Sequence, residues 1–147
     1  MFKAIYFDMD GNIADLYAVE NWLDQLRNFD PSPYREAAPL LNMQALAHRL
    51  NHLQEIGYKL GVVSWGSKES TPEYDNAVEQ AKLEWLEKHL GSVDWDEIRI
   101  VPYGTPKSSV VSHPSGVLFD DEQRNREEWR GMAFDNTEIM KILELLK

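Results

Sequence analysis

Two aspartates, Asp8 and Asp10, stand two residues apart, directly after the apolar run Ala4–Phe7 and directly before Gly11. A second acid pair, Asp120 and Asp121, follows another apolar run, Val117–Phe119. Between them Ser64 follows Leu60–Val63, and Lys107 lies in the loop PYGTPK after Ile98–Val101. Carboxylates converging from two separate segments repel unless a cation lies among them. Oxygen donors alone suit a hard ion, Mg²⁺ before softer metals. A hydroxyl and an ammonium on neighbouring loops supply donors for phosphate oxygens. Together these groups have the chemistry of phosphoryl transfer, where positioning and charge stabilisation do most of the catalysis.

That chemistry requires elements that bring the four stations together. Ala4–Phe7, Leu60–Val63, Ile98–Val101 and Val117–Phe119 are continuous apolar runs, as expected of strands covered on both faces. Met132–Phe134 is a weaker fifth strand. Helical spacing lies between them. Ile13–Leu26 places Leu16, Val19, Leu23 and Leu26 on one stripe. Met43–Ile56 does the same with Met43, Leu46, Leu50 and Leu53, with Asn42 as N-cap and Gly57 as the residue past its end. Thr71-Pro72 opens a third helix that Gly91 closes, and a last helix is expected from Asn136 to Leu146. Strands alternating with helices predict a parallel sheet in an α/β domain, whose ligands gather at the carboxyl ends of the strands. The proline-rich segment Asn28–Pro39 is expected to be an insertion between the first two helices.

The chain has 147 residues, suited to one domain, and contains no cysteine, so thiolate metal sites and disulfides are excluded. No apolar run approaches the length of a membrane span, and the start MFKAIYF is too short and too soon charged for a secretory signal. The net charge of −10 argues against a broad basic surface for double-stranded nucleic acid. A small phosphate substrate remains compatible, because a bound cation and a lysine reverse the sign locally. A cytoplasmic protein, monomeric or homodimeric, is the expectation.

The segments FDMDGNIADL, a strand ending in Ser64, Lys107 and LFDDEQRN occur in the order of the four motifs of the haloacid dehalogenase (HAD) superfamily, which the chain resembles over nearly its whole length. Within that superfamily FDMDGNIADL, GYKLGVVSW, AKLEWLEKHLG and VLFDDEQRN look most like the 5′(3′)-deoxyribonucleotidase branch. The resemblance implies a HAD-like Rossmannoid three-layer sandwich over residues 1–147, with a parallel sheet of about five strands and a small helical cap around 16–40. It implies that Asp8 attacks phosphorus, and that Asp10 protonates the leaving oxygen and then activates water. Ser64, the amide of Trp65 and Lys107 would hold phosphate oxygens. Mg²⁺ would be bound by Asp8, the Asp10 carbonyl and one or both of Asp120 and Asp121. Three positions depart from the pattern. Asn12 stands where Thr or Val is usual, Leu16 where the nucleotidases carry an aromatic, and Thr105 where they carry an arginine. Tyr17 is adjacent to Leu16, but on a helix it would point elsewhere.

Other residues read less sharply. Trp22, Phe29 and Tyr34 are either an apolar wall over the site or ordinary packing. His48 and His52 are four apart on a helix with no acidic partner completing a metal motif, and read as a solvated face. Lys82 and Trp85 read as part of a helix packed on the sheet. Arg124, Arg126 and Arg130 read as a helical surface with i,i+4 pairs. The expected function is a Mg²⁺-dependent phosphatase of a small phosphomonoester, a nucleoside 5′-monophosphate. The alternatives are a HAD-fold binding or scaffold protein without turnover, or a phosphatase acting on nucleic-acid ends.

Overall fold

The computed structural model describes residues 3–147. Five parallel strands form its central sheet: β1 (Ala4–Phe7), β4 (Lys59–Trp65), β5 (Glu97–Val101), β6 (Val117–Phe119) and β7 (Ala133–Phe134). Their order is β5-β4-β1-β6-β7. The chain therefore builds outward from β1 in one direction, returns, and builds outward in the other. The switch point lies between β1 and β6, where the register pairs Phe7 with Phe119. Open α/β sheets bind ligands at this place because the following loops diverge and leave a crevice.

Alternation along β1 decides the two faces. Ile5 and Phe7 join Leu60, Val62 and Phe119 against α3 (Met43–Glu55), the second half of α4 (Pro72–Leu90) and α6 (Ile139–Leu145). Ala4 and Tyr6 face the other way, with Val63, Leu118 and Trp129. That second face is covered by Val110, Val111 and the segment around Trp129, with α5 (Gln123–Glu128) alongside. The result is a doubly wound helix–sheet–helix α/β arrangement, Rossmann-like in its strand order, with one layer much thinner than the other. Asn42 caps α3 through the Ala45 amide, and Thr71 caps α4 through the Tyr74 amide, as their side chains predict.

Several boundaries differ from the sequence expectation. Ile13–Leu26 is not one helix. The Met9 carbonyl accepts the amides of Asn12, Ile13 and Ala14 in a tight turn. Ala14–Asp15 (β2) then pairs antiparallel with Ala38–Pro39 (β3). A 3₁₀ turn covers Leu16–Ala18, and α1 (Trp22–Arg27) starts only after Asn21, which has φ of +57°. The leucine spacing imitates a helix, while the chain is held by a ribbon to residues more than twenty positions away. Asn28–Pro39 contains α2 (Ser32–Glu36) as well as β3. Ser64 lies inside β4 rather than beyond it. Residues 136–138 form a 3₁₀ turn, so the last α-helix is Ile139–Leu145.

A separate cluster joins Leu16, Leu26 and Tyr34 to Tyr74, Val78 and Ala81 on the first half of α4. Trp85, fully buried one turn further on, donates its indole N–H to the Ala37 carbonyl at 2.8 Å. It thus fastens the end of the 16–37 segment to the core. We expect Trp85→Ala to lower unfolding stability by about 3–5 kcal/mol, the usual cost of emptying a large aromatic site. Urea denaturation measures this, and a loss below about 1 kcal/mol would show that the site collapses freely.

Candidate active site

The turn after β1 and the turn after β6 bring three carboxylates together. Oxygens of Asp8, Asp120 and Asp121 lie within 4.8 Å of one another. Lys107, on a 3₁₀ turn after β5, is 1% exposed and sends its ammonium between two of them. It donates to Asp8 Oδ1 at 2.9 Å and to Asp120 Oδ2 at 2.7 Å. The other oxygen of Asp120 accepts the amide of Glu122 at 2.9 Å, and its main-chain carbonyl accepts from Arg126 at 2.9 Å. Asp120 is therefore held on both oxygens. Asp121 is not: its buried Oδ1 has no partner among the described residues.

Gly11 is required by this geometry. Its φ is +74°, and a Cβ there would lie 2.4 Å from Asp121 Oδ2 and 2.9 Å from the Tyr17 ring. Asn12, fully buried, donates through Nδ2 to the Asp8 carbonyl at 2.8 Å, which stiffens the turn behind the first carboxylate. Its Oδ1 is a second buried acceptor without a partner.

Asp10 belongs to a neighbouring group. Its Oδ2 accepts from Lys82 at 2.8 Å. Lys82, on α4, is fully buried and also donates to Ser64 Oγ and to the Trp65 carbonyl, each at 2.7 Å. Sequence reasoning placed Lys82 on a helix packed on the sheet, which is where it lies, and missed its place in the site. Its position on the stripe Val78, Ala81, Trp85 and Leu86 was the available signal, since that face of α4 is buried. Ser64 does not line the cavity; Ser67 does.

Above these groups opens a cavity of about 520 Å³. Asp8, Asp10, Asp121 and Lys107 lie on its wall together with Leu16, Tyr17, Trp22, Phe29, Tyr34, Trp65 and Tyr103, and Arg27 and Lys68 contribute cations. Tyr17 thus faces the site, contrary to the helical expectation, because a 3₁₀ turn and not an α-helix carries it. Trp22, Phe29 and Tyr34 are all on the wall. Trp65 donates its indole N–H to the Thr105 carbonyl at 2.8 Å and lies 4.8 Å from the Tyr103 ring. The Arg124 guanidinium stacks on both, 4.8 Å from Trp65 and 5.9 Å from Tyr103. Arg124 thus covers aromatic faces and pairs with Glu122, Arg126 holds the Asp120 carbonyl and pairs with Asp135, and Gln123 and Glu127 make an i,i+4 pair. His48 and His52 are exposed, away from the cluster.

The electrostatics follow from crowding. Burial, then the neighbouring charge of Asp8, raises the carboxyl of Asp121 to about 8. Burial and Asp8 raise Asp120 to about 6 against the pull of Lys107. Burial raises Asp10 as well, with Lys82 opposing. For Lys107 burial acts to lower the ammonium, but Asp8 and Asp120 outweigh it and the net shift is upward. Burial, with the carboxylates of Asp10 and Asp121, pushes the Tyr17 phenol up.

Do these residues fit a divalent cation? With all groups ionised, four carboxylates face two ammoniums, an excess of two negative charges. The donors Asp8, Asp120 and Asp121 are oxygen only, and the orphaned Asp121 Oδ1 lies among them. A hard dication matches both the charge and the donor type.

No family model matches the chain, and no curated protein does. Among solved structures the chain is similar to the D,D-heptose 1,7-bisphosphate phosphatase from Burkholderia thailandensis, at 17% identity over 85% of this chain and 70% of that one, with a TM-score of 0.48.

The raised carboxyls set a pH dependence. Asp121 has an ordinary value of 3.8 and a folded value of about 8, so the metal-free folded protein keeps a proton that the unfolded chain releases. This contribution to stability is full below about pH 4 and fades as pH rises to about 8. Asp120 acts in the same direction over a narrower window, ending near 6. A cation competes with that proton. The increase in Tm produced by MgCl₂ over EDTA should therefore be larger at about pH 8 than at about pH 5.5. An equal increase at both would remove the competition between proton and metal.

Proposed function

We propose that this protein is a Mg²⁺-dependent phosphatase that hydrolyses a small phosphomonoester, a nucleoside 5′-monophosphate, through an aspartyl-phosphate. The observation that carries the reading is Lys107 buried between Asp8 and Asp120, with Asp121 Oδ1 unpartnered among the described residues beside them, at the base of an aromatic cavity. Asp8, Asp121 and the Asp10 carbonyl, supported by Asp120, would hold the ion. Bound Mg²⁺ would draw charge from the phosphate oxygens and let anionic Asp8 and an anionic ester approach each other.

The chain's own residues supply the remaining chemistry. A carboxylate oxygen of Asp8 attacks phosphorus, and the bond from phosphorus to the ester oxygen breaks. Asp10, whose burial favours the protonated form, gives its proton to the departing alkoxide. Asp10, now a carboxylate, removes a proton from water as that water attacks the phosphorus. Asp8 leaves as carboxylate and inorganic phosphate departs. Lys107 stays charged throughout, since two carboxylates hold its proton, and it neutralises charge on the transferring phosphoryl group. The amide of Trp65, on the cavity wall, is assigned a remaining phosphate oxygen, while Ser64, expected for the same task, lies buried behind the wall and instead accepts from Lys82.

The nucleotide assignment is supported by the cavity itself. Phosphate occupies only a fraction of 520 Å³, and Tyr17, Trp22, Phe29, Tyr34, Trp65 and Tyr103 supply flat apolar faces for a base. Leu16 removes one aromatic from the resembled pattern, and Tyr17 supplies another from the adjacent position. Residues 16–40 act as the cap of a single-domain enzyme, monomeric or homodimeric, working in the cytoplasm.

The test is turnover of p-nitrophenyl phosphate with and without Mg²⁺, followed by a panel of ribo- and deoxynucleoside monophosphates. Asp8→Asn should fold with an unchanged or higher Tm, because one buried like charge is gone, and should show no turnover. Retained turnover in that variant would remove the nucleophile assignment. Lys107→Ala should lower kcat/KM by about 10²–10³-fold, the scale of losing one charge contact to the transition state. A fall of about threefold or less would move that role to another residue.

A further inference from the structure

We infer that Lys82 is a positioning residue: it fixes Asp10 by one carboxylate oxygen so that the other is presented to the leaving group. This rests on the phosphatase reading above and adds a residue that the reading does not use.

An ammonium has three N–H donors. Those of Lys82 are all engaged, by Asp10 Oδ2, Ser64 Oγ and the Trp65 carbonyl, at 2.7–2.8 Å. None is left for a phosphate oxygen. Lys82 therefore differs from Lys107, whose two partners leave one N–H free. The Lys82 side chain is fully buried on the apolar face of α4, with Tyr34 covering the ammonium at 5.0 Å from its ring centroid. A charge in that position is costly unless every bond is made, so its geometry is over-determined. It cannot follow Asp10 into a second rotamer, and Asp10 cannot leave it without stranding the charge.

Asp10 itself is tied on one side only. Its Oδ1 makes no hydrogen bond among the described residues, and the residue lies on the cavity wall beside Asp8. A carboxyl group bound at Oδ2 by an ammonium carries its proton on Oδ1. That is the atom from which a departing ester oxygen must be protonated. Lys82 thus selects both the rotamer of Asp10 and the oxygen that bears the transferable proton. Because Lys82 also holds the Trp65 carbonyl and Ser64, one ammonium joins the acid to the end of β4.

Leaving-group dependence separates positioning of an acid from a general structural role, because a poor leaving group needs the proton and a good one does not. We would measure kcat/KM, which reports transfer to Asp8, for a series of aryl phosphates from p-nitrophenyl to unsubstituted phenyl. In Lys82→Met the phenyl ester should lose about 10²-fold and the p-nitrophenyl ester less than about tenfold, within the range assigned to general acid catalysis. The increase in Tm given by Mg²⁺ should persist, since Lys82 touches none of Asp8, Asp120 or Asp121. Equal losses along the series, or none, would overturn the inference. If Lys82→Met fails to fold because it strands the Asp10 charge, the double variant Asp10→Asn, Lys82→Met relieves that defect. It should be no slower on phenyl phosphate than Asp10→Asn alone; a further loss of about tenfold would show that Lys82 acts by another route and overturn the inference. A wild-type chain inactive on every ester, with or without Mg²⁺, removes the phosphatase reading and takes this inference with it. An active wild type with a flat leaving-group profile in the variant removes this inference alone.

Discussion

Negative charge packed at one end of a parallel sheet is the condition on which the rest of this molecule turns. Asp8 leaves β1, Asp120 and Asp121 leave β6, and the register between those strands brings their tips into one small volume, with Asp10 beside it on Lys82. Left alone, that crowd would open the sheet or take up protons. Two lysines from different elements, Lys107 after β5 and Lys82 on α4, hold it in place without neutralising it. A buried arrangement of this kind gives little net stability, because desolvation consumes the attraction. Its value is that the orientations are fixed before any ligand arrives, as electrostatic preorganisation requires.

The two lysines divide the labour. Lys107 ties β1 to β6 across the switch point and keeps one N–H unengaged. Lys82 ties Asp10 to the end of β4 and keeps none. Around them the backbone is shaped to allow the approach. Gly11 has no side chain because Asp121 and Tyr17 occupy the space, and the buried amide of Asn12 braces the carbonyl of Asp8. Apart from Trp65, which ends β4 beside Val101, the aromatic wall stands on turns and short helices outside the central sheet.

Much of this was legible from the residues alone. The ends of β1 and β6 announce themselves because an apolar run meets a carboxylate without transition, and a fully covered strand has to end at the surface of the sheet. Asn42 and Thr71 announced their helices by cap chemistry that needs no distant partner. What failed depended on contacts remote in sequence. Leu16, Val19, Leu23 and Leu26 are spaced as a helix would space them, yet Ala14–Asp15 pairs with Ala38–Pro39 and breaks that helix before it forms. With the helix went the direction of Tyr17. Lys82 was hidden for the opposite reason: a long aliphatic stem ending in a charge ordinarily reaches past apolar neighbours to water. Only the folded chain reveals that this one ends against Asp10.

The helix α4 does two things with one face. Tyr74, Val78 and Ala81 seat the segment from Leu16 to Tyr34, and Lys82, one position beyond Ala81, reaches the acid. An inserted or deleted residue between Tyr74 and Lys82 would rotate one part by about 100° relative to the other. The roof and the Asp10 carboxyl would lose alignment in the same event. Drift in chain length at this spot is thus penalised twice over.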